Sequence, residues 1–196
     1  MFCKENSDFD KLITSDSVLF FDMDGTLVDT DYANYLSYRK AIEIVMKSDF
    51  GLLYNPDERF CRSLLLRTIP NLTAIELKKI IDEKEKCYCD FLPKTKLNIV
   101  IANILFKYSK TNKTILVTNC RKERAVLTLN YHELTDKFSG LFFRNKSDNQ
   151  VRINKFQNAI LELGISPDLV VAFENDEMEI SDAKQARIEI INPIIT

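Results

Sequence analysis

The sequence lacks the features that mark several large classes of protein. Gly and Pro number only four and five among 196 residues and Trp is absent, which disfavours disordered and collagen-like chains. The longest apolar candidate, from Leu97 to Phe106, contains Asn and is too short to span a bilayer. The first twelve residues contain no apolar core of signal-peptide length. We therefore expect a soluble, cytoplasmic protein with no membrane partner.

Charge and cysteine content are also unremarkable. The net charge of −2 argues weakly against nucleic acid as a partner. The five cysteines are odd in number, which argues against a disulfide framework. Cys87 and Cys89 are close enough to share a metal, but the single histidine, His132, supplies no obvious further ligand. We interpret the cysteines as reduced thiols.

Apolar runs alternate with helical patterns along most of the chain. Nearly continuous apolar runs of this length predict strands that are buried on both faces. Helical spacing precedes the second run, and Asn154 and Gly164 bound a helix before the fourth. The alternation predicts an α/β fold with a parallel sheet. The predicted strands are Val18–Phe21, Thr114–Val117, Leu141–Phe143, Leu169–Phe173 and Ile188–Ile191.

One long segment interrupts this alternation. Between Asp31 and Pro93 the spacing of apolar residues is helical, and Thr73 and Glu76 have the spacing of a helix capping box. The segment directly follows the first strand and its acidic turn. We therefore predict two domains, an α/β core formed by residues 1–30 and 94–196, and a helical insertion formed by residues 31–93.

Polar side chains follow three of the predicted strands. Asp22 and Asp24 follow the first, Thr118 and Asn119 the second, and the acidic run from Glu174 to Glu177 the fourth. Ligands of open parallel sheets bind at this edge. Asp22 and Asp24 point to the same side of an extended chain, and two carboxylates so close require a cation or a shared proton. With Lys155 at a helix start, these groups suit phosphoryl transfer assisted by Mg²⁺.

These residues resemble the motifs of the haloacid dehalogenase superfamily of phosphotransferases. The first motif, Asp-x-Asp-Gly-Thr, is complete at Asp22–Thr26, and the second matches the run ending at Thr118. Lys155 is the better candidate for the third-motif lysine, with Lys146 as the alternative, and the fourth motif matches residues 170–188. The helical insertion resembles the cap of the β-phosphoglucomutase and phosphoglycolate phosphatase branch. The resemblance implies a Rossmann-like core sheet carrying an all-helical cap.

The resemblance also implies roles for the matched residues. Asp22 would form an aspartyl-phosphate, and Asp24 would act as general acid and then as general base. The Asp22 carboxylate and the Asp24 backbone carbonyl would bind Mg²⁺. Thr118 would hold the phosphate and Lys155 would stabilise its charge. From its position beside Thr118, Asn119 either contacts the substrate or closes the turn.

The chain departs from the family pattern at the fourth motif. Members of this branch often have Glu-Asp-Ser where this chain has Glu174, Asn175 and Asp176. Either Asn175 gives Mg²⁺ one neutral oxygen, or the loop shifts and Asp176 coordinates the ion. Glu174 remains in either case as an anion in or next to the metal's ligand shell.

The expected function is that of a Mg²⁺-dependent phosphatase acting on a small phosphorylated metabolite. A closing cap would exclude bulky substrates such as phosphoproteins and duplex nucleic acids. The sequence leaves two alternatives open. The chain could be a sugar-phosphate mutase, or a regulatory binding protein whose metal site is weakened at Asn175.

Overall fold

The computed structural model describes residues 7–48, 50–144 and 154–192, with side chains from residue 9 onward. The chain forms two compact units, one made of Met1–Leu27 with Asn98–Thr196 and the other of Val28–Leu97. Within the described ranges, no helix combines the length and the apolar character that crossing a membrane requires.

The strands and helices are numbered in chain order. The strands are β1 Val18–Phe21, β2 Val28–Asp29, β3 Lys96–Leu97, β4 Lys113–Val117, β5 Gly140–Phe142, β6 Val170–Phe173 and β7 Ile190–Ile191. The α-helices are α1 Ser7–Leu12, α2 Asp31–Met46, α3 Arg62–Thr68, α4 Ala74–Cys87, α5 Ile99–Tyr108, α6 Lys122–Tyr131, α7 Lys155–Leu163 and α8 Glu177–Gln185. Short 3-10 helices cover Tyr88–Lys94, Thr135–Lys137 and Pro167–Leu169.

The first unit is built on a five-stranded sheet with the order β5-β4-β1-β6-β7. All neighbouring strands in it are parallel, which confirms the predicted α/β class. Phe21 at the end of β1 lies opposite Leu116 on one side and Phe173 on the other. The three central strands therefore end almost level, at one edge of the sheet.

Side chains of alternate residues in a strand point to the same face of the sheet, and this determines what packs on that face. Residues Val18 and Phe20 of β1 join Phe156 and Ala159 of α7 and Ala183 of α8 in one buried cluster. Helix α7 begins and ends where the sequence predicts, because the Asn154 side chain accepts from the first backbone amides and Gly164 adopts a left-handed conformation with φ of 62°. This packing fixes the position of Lys155, the first residue of α7.

The second unit is helical apart from a short antiparallel pairing of β2 with β3. Its core contains Tyr35, Ile42, Leu65 and Ile80. Thr73 caps α4 through the full capping box with Glu76 that the sequence predicts. Strands β2 and β3 were not predicted, since they are too short to show a hydrophobic period.

Candidate active site

Three strand ends meet at the site. Asp22 follows β1, Thr118 follows β4 and Glu174 follows β6, and all three residues are buried. The backbone N–H of Asp22 donates to the Phe173 carbonyl at 3.0 Å, and that of Thr118 donates to the Phe142 carbonyl at 3.0 Å. The sheet's hydrogen bonds thus continue one residue past the strands and fix the backbone from which these side chains project.

Lys155 lies at the centre of the acidic groups. Its Nζ donates to Asp22 Oδ1 at 2.7 Å and to Glu174 Oε2 at 2.7 Å, and it forms a third ion pair with Glu179 Oε2. The side chain is only 6% exposed. A buried ammonium is tolerated because it is paired and hydrogen-bonded. The alternative lysine, Lys146, lies outside the described residues.

Burial and neighbouring charges shift the pKa values of Asp22, Glu174 and Lys155. Burial raises the pKa of Asp22 to about 6, although the positive charge of Lys155 opposes the rise. Burial and the neighbouring Asp22 also raise the pKa of Glu174. Burial opposes the charge on Lys155, but the three carboxylates around it raise its pKa above the ordinary value. The raised pKa values of Asp22 and Glu174 show that Lys155 does not fully offset the effect of burying these carboxylates.

Asp24 is held by an arginine that the sequence did not identify as a site residue. Arg124, the third residue of α6, donates through Nη2 to Asp24 Oδ2 at 3.1 Å. Its Nε also lies 2.9 Å from the Cys120 sulfur and donates to it. Both charged side chains are mostly buried, at 13% and 12% exposure. The pair orients the Asp24 carboxylate within the site.

The turn after β4 presents two polar side chains. Thr118 Oγ1 accepts a hydrogen bond from the Cys120 backbone N–H at 3.1 Å, which shapes the turn. Asn119 Nδ2 donates to Glu179 Oε1 at 2.8 Å. Asn119 is therefore joined to the acidic group of the site rather than only closing the turn.

The residues of the acidic loop after β6 each make different hydrogen bonds. Glu174 Oε1 accepts from the backbone N–H groups of Asn175 and Asp176, at 2.9 and 3.0 Å. Asn175 Oδ1 accepts from Thr26 Oγ1 at 2.9 Å. Asp176 Oδ1 accepts from the amides of Met178 and Glu179 and so forms the N-cap of α8. Asn175 thus braces the turn after β1, and Asp176 starts the next helix.

The turn after β1 needs glycine at residue 25. Gly25 has φ of +89°, and a Cβ there would lie 2.6 Å from the Asn175 amide nitrogen. The turn that carries Asp24 therefore packs directly on the Asn175 side chain.

The carboxylate oxygens suit a hard divalent cation. Among the residues whose side chains the structure describes, Asp22, Glu174 and Glu179 each place an oxygen within 4.8 Å of the other two. Oxygen donors of this kind fit Mg²⁺. Asp176 is not in that group of three, and Glu179, which the sequence did not single out, is.

Glu179 and Arg124 could not be identified as site residues from the sequence, for different reasons. Glu179 is the third residue of α8, a position where acidic residues commonly stabilise a helix N-terminus. Arg124 follows Arg121 and Lys122 closely, and nothing in the sequence separates it from these neighbours. Only the fold shows which of these charges point into the site.

A curated relative supports the interpretation of this site as an enzyme centre. The chain is 27% identical over 190 residues to a phosphorylated carbohydrates phosphatase from Thermotoga maritima, covering 90% of this chain and 84% of that protein. No family model matches the chain.

Solved structures share the fold. A haloacid dehalogenase-like family hydrolase from Streptococcus pneumoniae matches with a TM-score of 0.69 and 17% identity, covering 91% of this chain and 84% of that one. CbbY from Rhodobacter sphaeroides, solved with phosphate, matches with a TM-score of 0.72 and 14% identity, covering 89% and 85%. At these identities the likeness is one of fold.

Proposed function

We propose that this chain, which shares its fold with a haloacid dehalogenase-like hydrolase, is a Mg²⁺-dependent phosphatase of small phosphorylated carbohydrates. The observation that carries the proposal is the buried Asp22 carboxylate, which is held by Lys155 at the end of β1. Strand, lysine and acidic loop together keep one carboxylate oriented for nucleophilic attack.

The first step is attack by Asp22 on the phosphate ester. A carboxylate oxygen of Asp22 forms a bond to phosphorus while the bond from phosphorus to the sugar oxygen breaks. Asp24 transfers a proton to that departing oxygen, so that an alcohol leaves and an aspartyl-phosphate remains. The contact with Arg124 keeps the Asp24 side chain in one orientation for this transfer.

The second step is hydrolysis of the aspartyl-phosphate. Asp24, now deprotonated, takes a proton from water, whose oxygen bonds to phosphorus as the bond to Asp22 breaks. The products are inorganic phosphate and the regenerated Asp22 carboxylate. One residue therefore serves as acid and then as base, which requires that it stay close to the same oxygen position in both steps.

The remaining polar residues bind the phosphoryl group. The hydroxyl of Thr118, the amide of Asn119 and the ammonium of Lys155 supply hydrogen-bond donors. Lys155 also offsets negative charge on Asp22 before and after transfer.

The Asp22 carboxylate and the Asp24 backbone carbonyl would hold Mg²⁺, with Glu174 close by. Bound Mg²⁺ would neutralise charge on the phosphoryl oxygens and on the nucleophile. The acidic group around Asp22 supports this cofactor, because its oxygens are of the type that the ion prefers.

The proposed substrate class follows from the curated relative, which is described as acting on phosphorylated carbohydrates. We assign the helical segment, predicted as residues 31–93, the role of a cap that selects small substrates. A sugar-phosphate mutase would use the same first step but return the phosphoryl group to a sugar.

One observation favours a second function, that of a phosphate-binding regulator. Asn175 contributes no charge and its oxygen is engaged by Thr26, so the cation site could be too weak for turnover. Such a protein would be stabilised thermally by Mg²⁺ with beryllium fluoride but would release no phosphate.

The test is phosphate release from a panel of sugar phosphates and other small esters, with Mg²⁺ or with EDTA. Asp22→Asn is compared with Asp16→Asn, a change at an exposed residue shortly before β1. The proposal predicts Mg²⁺-dependent release that is lost in Asp22→Asn and kept in Asp16→Asn. Folded protein that releases no phosphate with any ester would contradict it.

A further inference from the structure

The resemblance to the haloacid dehalogenase superfamily implies an acidic metal ligand at residue 175, and this chain has Asn there. We propose that Glu179 completes the cation site by supplying the carboxylate that residue 175 lacks. This inference rests on the proposed function, because it concerns the same Mg²⁺ site. It identifies a residue of α8 as a cation ligand, although neither the motif at β1 nor the loop after β6 contains it.

The two residues expected from the sequence to supply this ligand have other partners. Asn175 Oδ1 accepts a hydrogen bond from Thr26 Oγ1 at 2.9 Å, and the amide is neutral. Asp176 Oδ1 accepts from two backbone amides of α8, at 2.9 and 3.0 Å. An N-cap carboxylate that left this position would expose the amides at the start of the helix. Both side chains are thus committed to supporting loops and helices.

Asp176 determines where Glu179 lies. One of the two amides that it caps is that of Glu179 itself, which is the third residue of the helix. The cap therefore fixes the backbone from which the Glu179 side chain extends toward Lys155 and Asn119. The acidic loop places an acidic side chain in the site through the helix that it starts, rather than through its own residues.

The Glu179 carboxylate is held at the site from two sides. Oε1 accepts from Asn119 Nδ2 at 2.8 Å, and Oε2 forms an ion pair with Lys155 Nζ. It lies within 4.8 Å of ligand oxygens of both Asp22 and Glu174. Its side chain is 19% exposed, whereas those of Asp22 and Glu174 are 6% and 1% exposed. A carboxylate on the open side of two buried ones can close a shell around an ion.

The local charge matches a divalent ion. When Asp22, Glu174 and Glu179 are all ionised, their three negative charges and the positive charge of Lys155 sum to −2. Asp24 does not change this sum, because Arg124 is paired with it. A buried excess of this size is costly unless a cation neutralises it.

The competing explanation gives Glu179 the opposite role. Asn119 and Lys155 are also the donors assigned to the substrate phosphate, so Glu179 could occupy them as an internal anion. Removing its charge would then leave cation affinity unchanged and strengthen the binding of inorganic phosphate. The two roles differ in their effect on cation affinity and on phosphate affinity.

The test measures the affinity of the full-length, metal-stripped protein for Mn²⁺ by electron paramagnetic resonance, with Mg²⁺ as competitor. Glu179→Gln keeps the shape of the side chain and removes its charge. Glu177→Gln is the matched control, because it makes the same change at an exposed residue of the same helical turn. Asn175→Asp and the double variant Asn175→Asp/Glu179→Gln test whether a carboxylate at residue 175 replaces the one lost.

The proposal predicts that Glu179→Gln weakens Mn²⁺ binding by about tenfold or more, that Glu177→Gln leaves it unchanged, and that the double variant recovers most of the loss. Unchanged Mn²⁺ affinity in Glu179→Gln, with or without tighter phosphate binding, would overturn it.

Circular dichroism establishes that each variant is folded, and Glu179→Asp serves as a second variant if Glu179→Gln does not fold. Glu179→Asp keeps the charge on a shorter side chain and should bind Mn²⁺ better than Glu179→Gln, and equal or weaker binding would overturn the proposal.

Failure of this inference differs from failure of the proposed function. A wild type that binds Mn²⁺ and releases phosphate, beside a Glu179→Gln variant with wild-type Mn²⁺ affinity, overturns the role of Glu179 alone. A folded wild type that neither binds Mn²⁺ nor releases phosphate overturns both.

Discussion

At the scale of single residues, the site consists of buried or mostly buried carboxylates that are paired with one lysine and one arginine. Lys155 contacts three carboxylates, and Arg124 contacts a fourth at Asp24. Buried ion pairs add little net stability, but removing one partner is expensive because the other charge stays buried and unpaired. Single substitutions here should therefore affect stability and function together. Added cations should change the size of the effect on stability.

Replacing Lys155 with Met should destabilise the metal-free protein by about 3 kcal/mol, because Asp22 and Glu174 lose the group that neutralises them. Mg²⁺ should recover part of this loss. Urea unfolding in EDTA and in Mg²⁺ measures both effects. Lys113→Met, at an exposed residue of β4, is the control and should change stability little. Equal stability of the two variants in EDTA would contradict the central position of Lys155.

The pH dependence of stability follows from Asp22. Its pKa is raised to about 6 in the folded state, so the folded protein binds a proton more readily than the unfolded chain does. Stability from this proton is complete below the unfolded pKa and is lost as pH rises through about 6. Asp22→Asn removes the effect.

Urea unfolding in EDTA between pH 4.5 and 7.5 should therefore show Asp22→Asn gaining stability relative to wild type as pH rises, by an amount on the order of 2 kcal/mol. A difference that does not vary with pH, or that shrinks as pH rises, would show that the folded state does not raise this pKa.

At the scale of elements, two connections place the reactive groups. The turn after β1 packs on Asn175 through Gly25, and Asp176 begins α8 and so positions Glu179. The acidic loop after β6 is thus a support for both sides of the site. Damage to either connection should displace catalytic groups without removing them.

Gly25→Ala should impair phosphate release more than its strain alone explains. Gly25 and Gly164 both have positive φ, but a Cβ at Gly25 meets the Asn175 amide at 2.6 Å while one at Gly164 meets nothing within 4 Å. Each change should cost about 1 kcal/mol through backbone strain, and only Gly25→Ala should also displace the Asp24 turn. Steady-state phosphate release and thermal unfolding of the two variants provide the comparison, and equal activities would contradict the close packing of this turn.

Asp176→Ala should destabilise the protein by about 1 kcal/mol through loss of an N-cap, and it should also weaken Mn²⁺ binding because Glu179 loses its anchor. Thr73→Ala removes another N-cap, in the helical unit, at a similar cost in stability. Thr73→Ala should leave Mn²⁺ affinity unchanged. If both variants bind Mn²⁺ as wild type does, the cap of α8 does not position a cation ligand.

The elements also show what the sequence could and could not predict. The five strands, the caps at Asn154 and Thr73 and the strand-end residues leave local patterns, and the structure contains them. Some predicted edges differ, since Leu169 lies in a 3-10 helix and β7 begins at Ile190. Glu179 and Arg124 left no such pattern, because their roles depend on contacts with residues 24 to 100 positions away. The hydrogen bonds of Asn175 to Thr26 and of Asp176 to the first turn of α8 likewise left no pattern in the sequence.

At the scale of the whole molecule, the chain combines an α/β unit that carries all the groups of the site with a helical unit of its own core. The α/β unit explains chemistry on a phosphate group, and it would serve many phosphate esters equally well. The choice of substrate must therefore come from elsewhere, and we assign it to the helical unit as a cap. On this account, small sugar phosphates should be hydrolysed and phosphopeptides should not.

The central claim is that Asp22 becomes phosphorylated, and the most direct test is to trap that state. Protein mixed with Mg²⁺ and its best ester from the panel is quenched in acid, digested, and mapped by mass spectrometry. The account predicts a phosphoryl group on the peptide that contains Asp22, absent with EDTA and absent in Asp22→Asn. Phosphate release by the wild type without that modified peptide, or release that persists in Asp22→Asn, would contradict it.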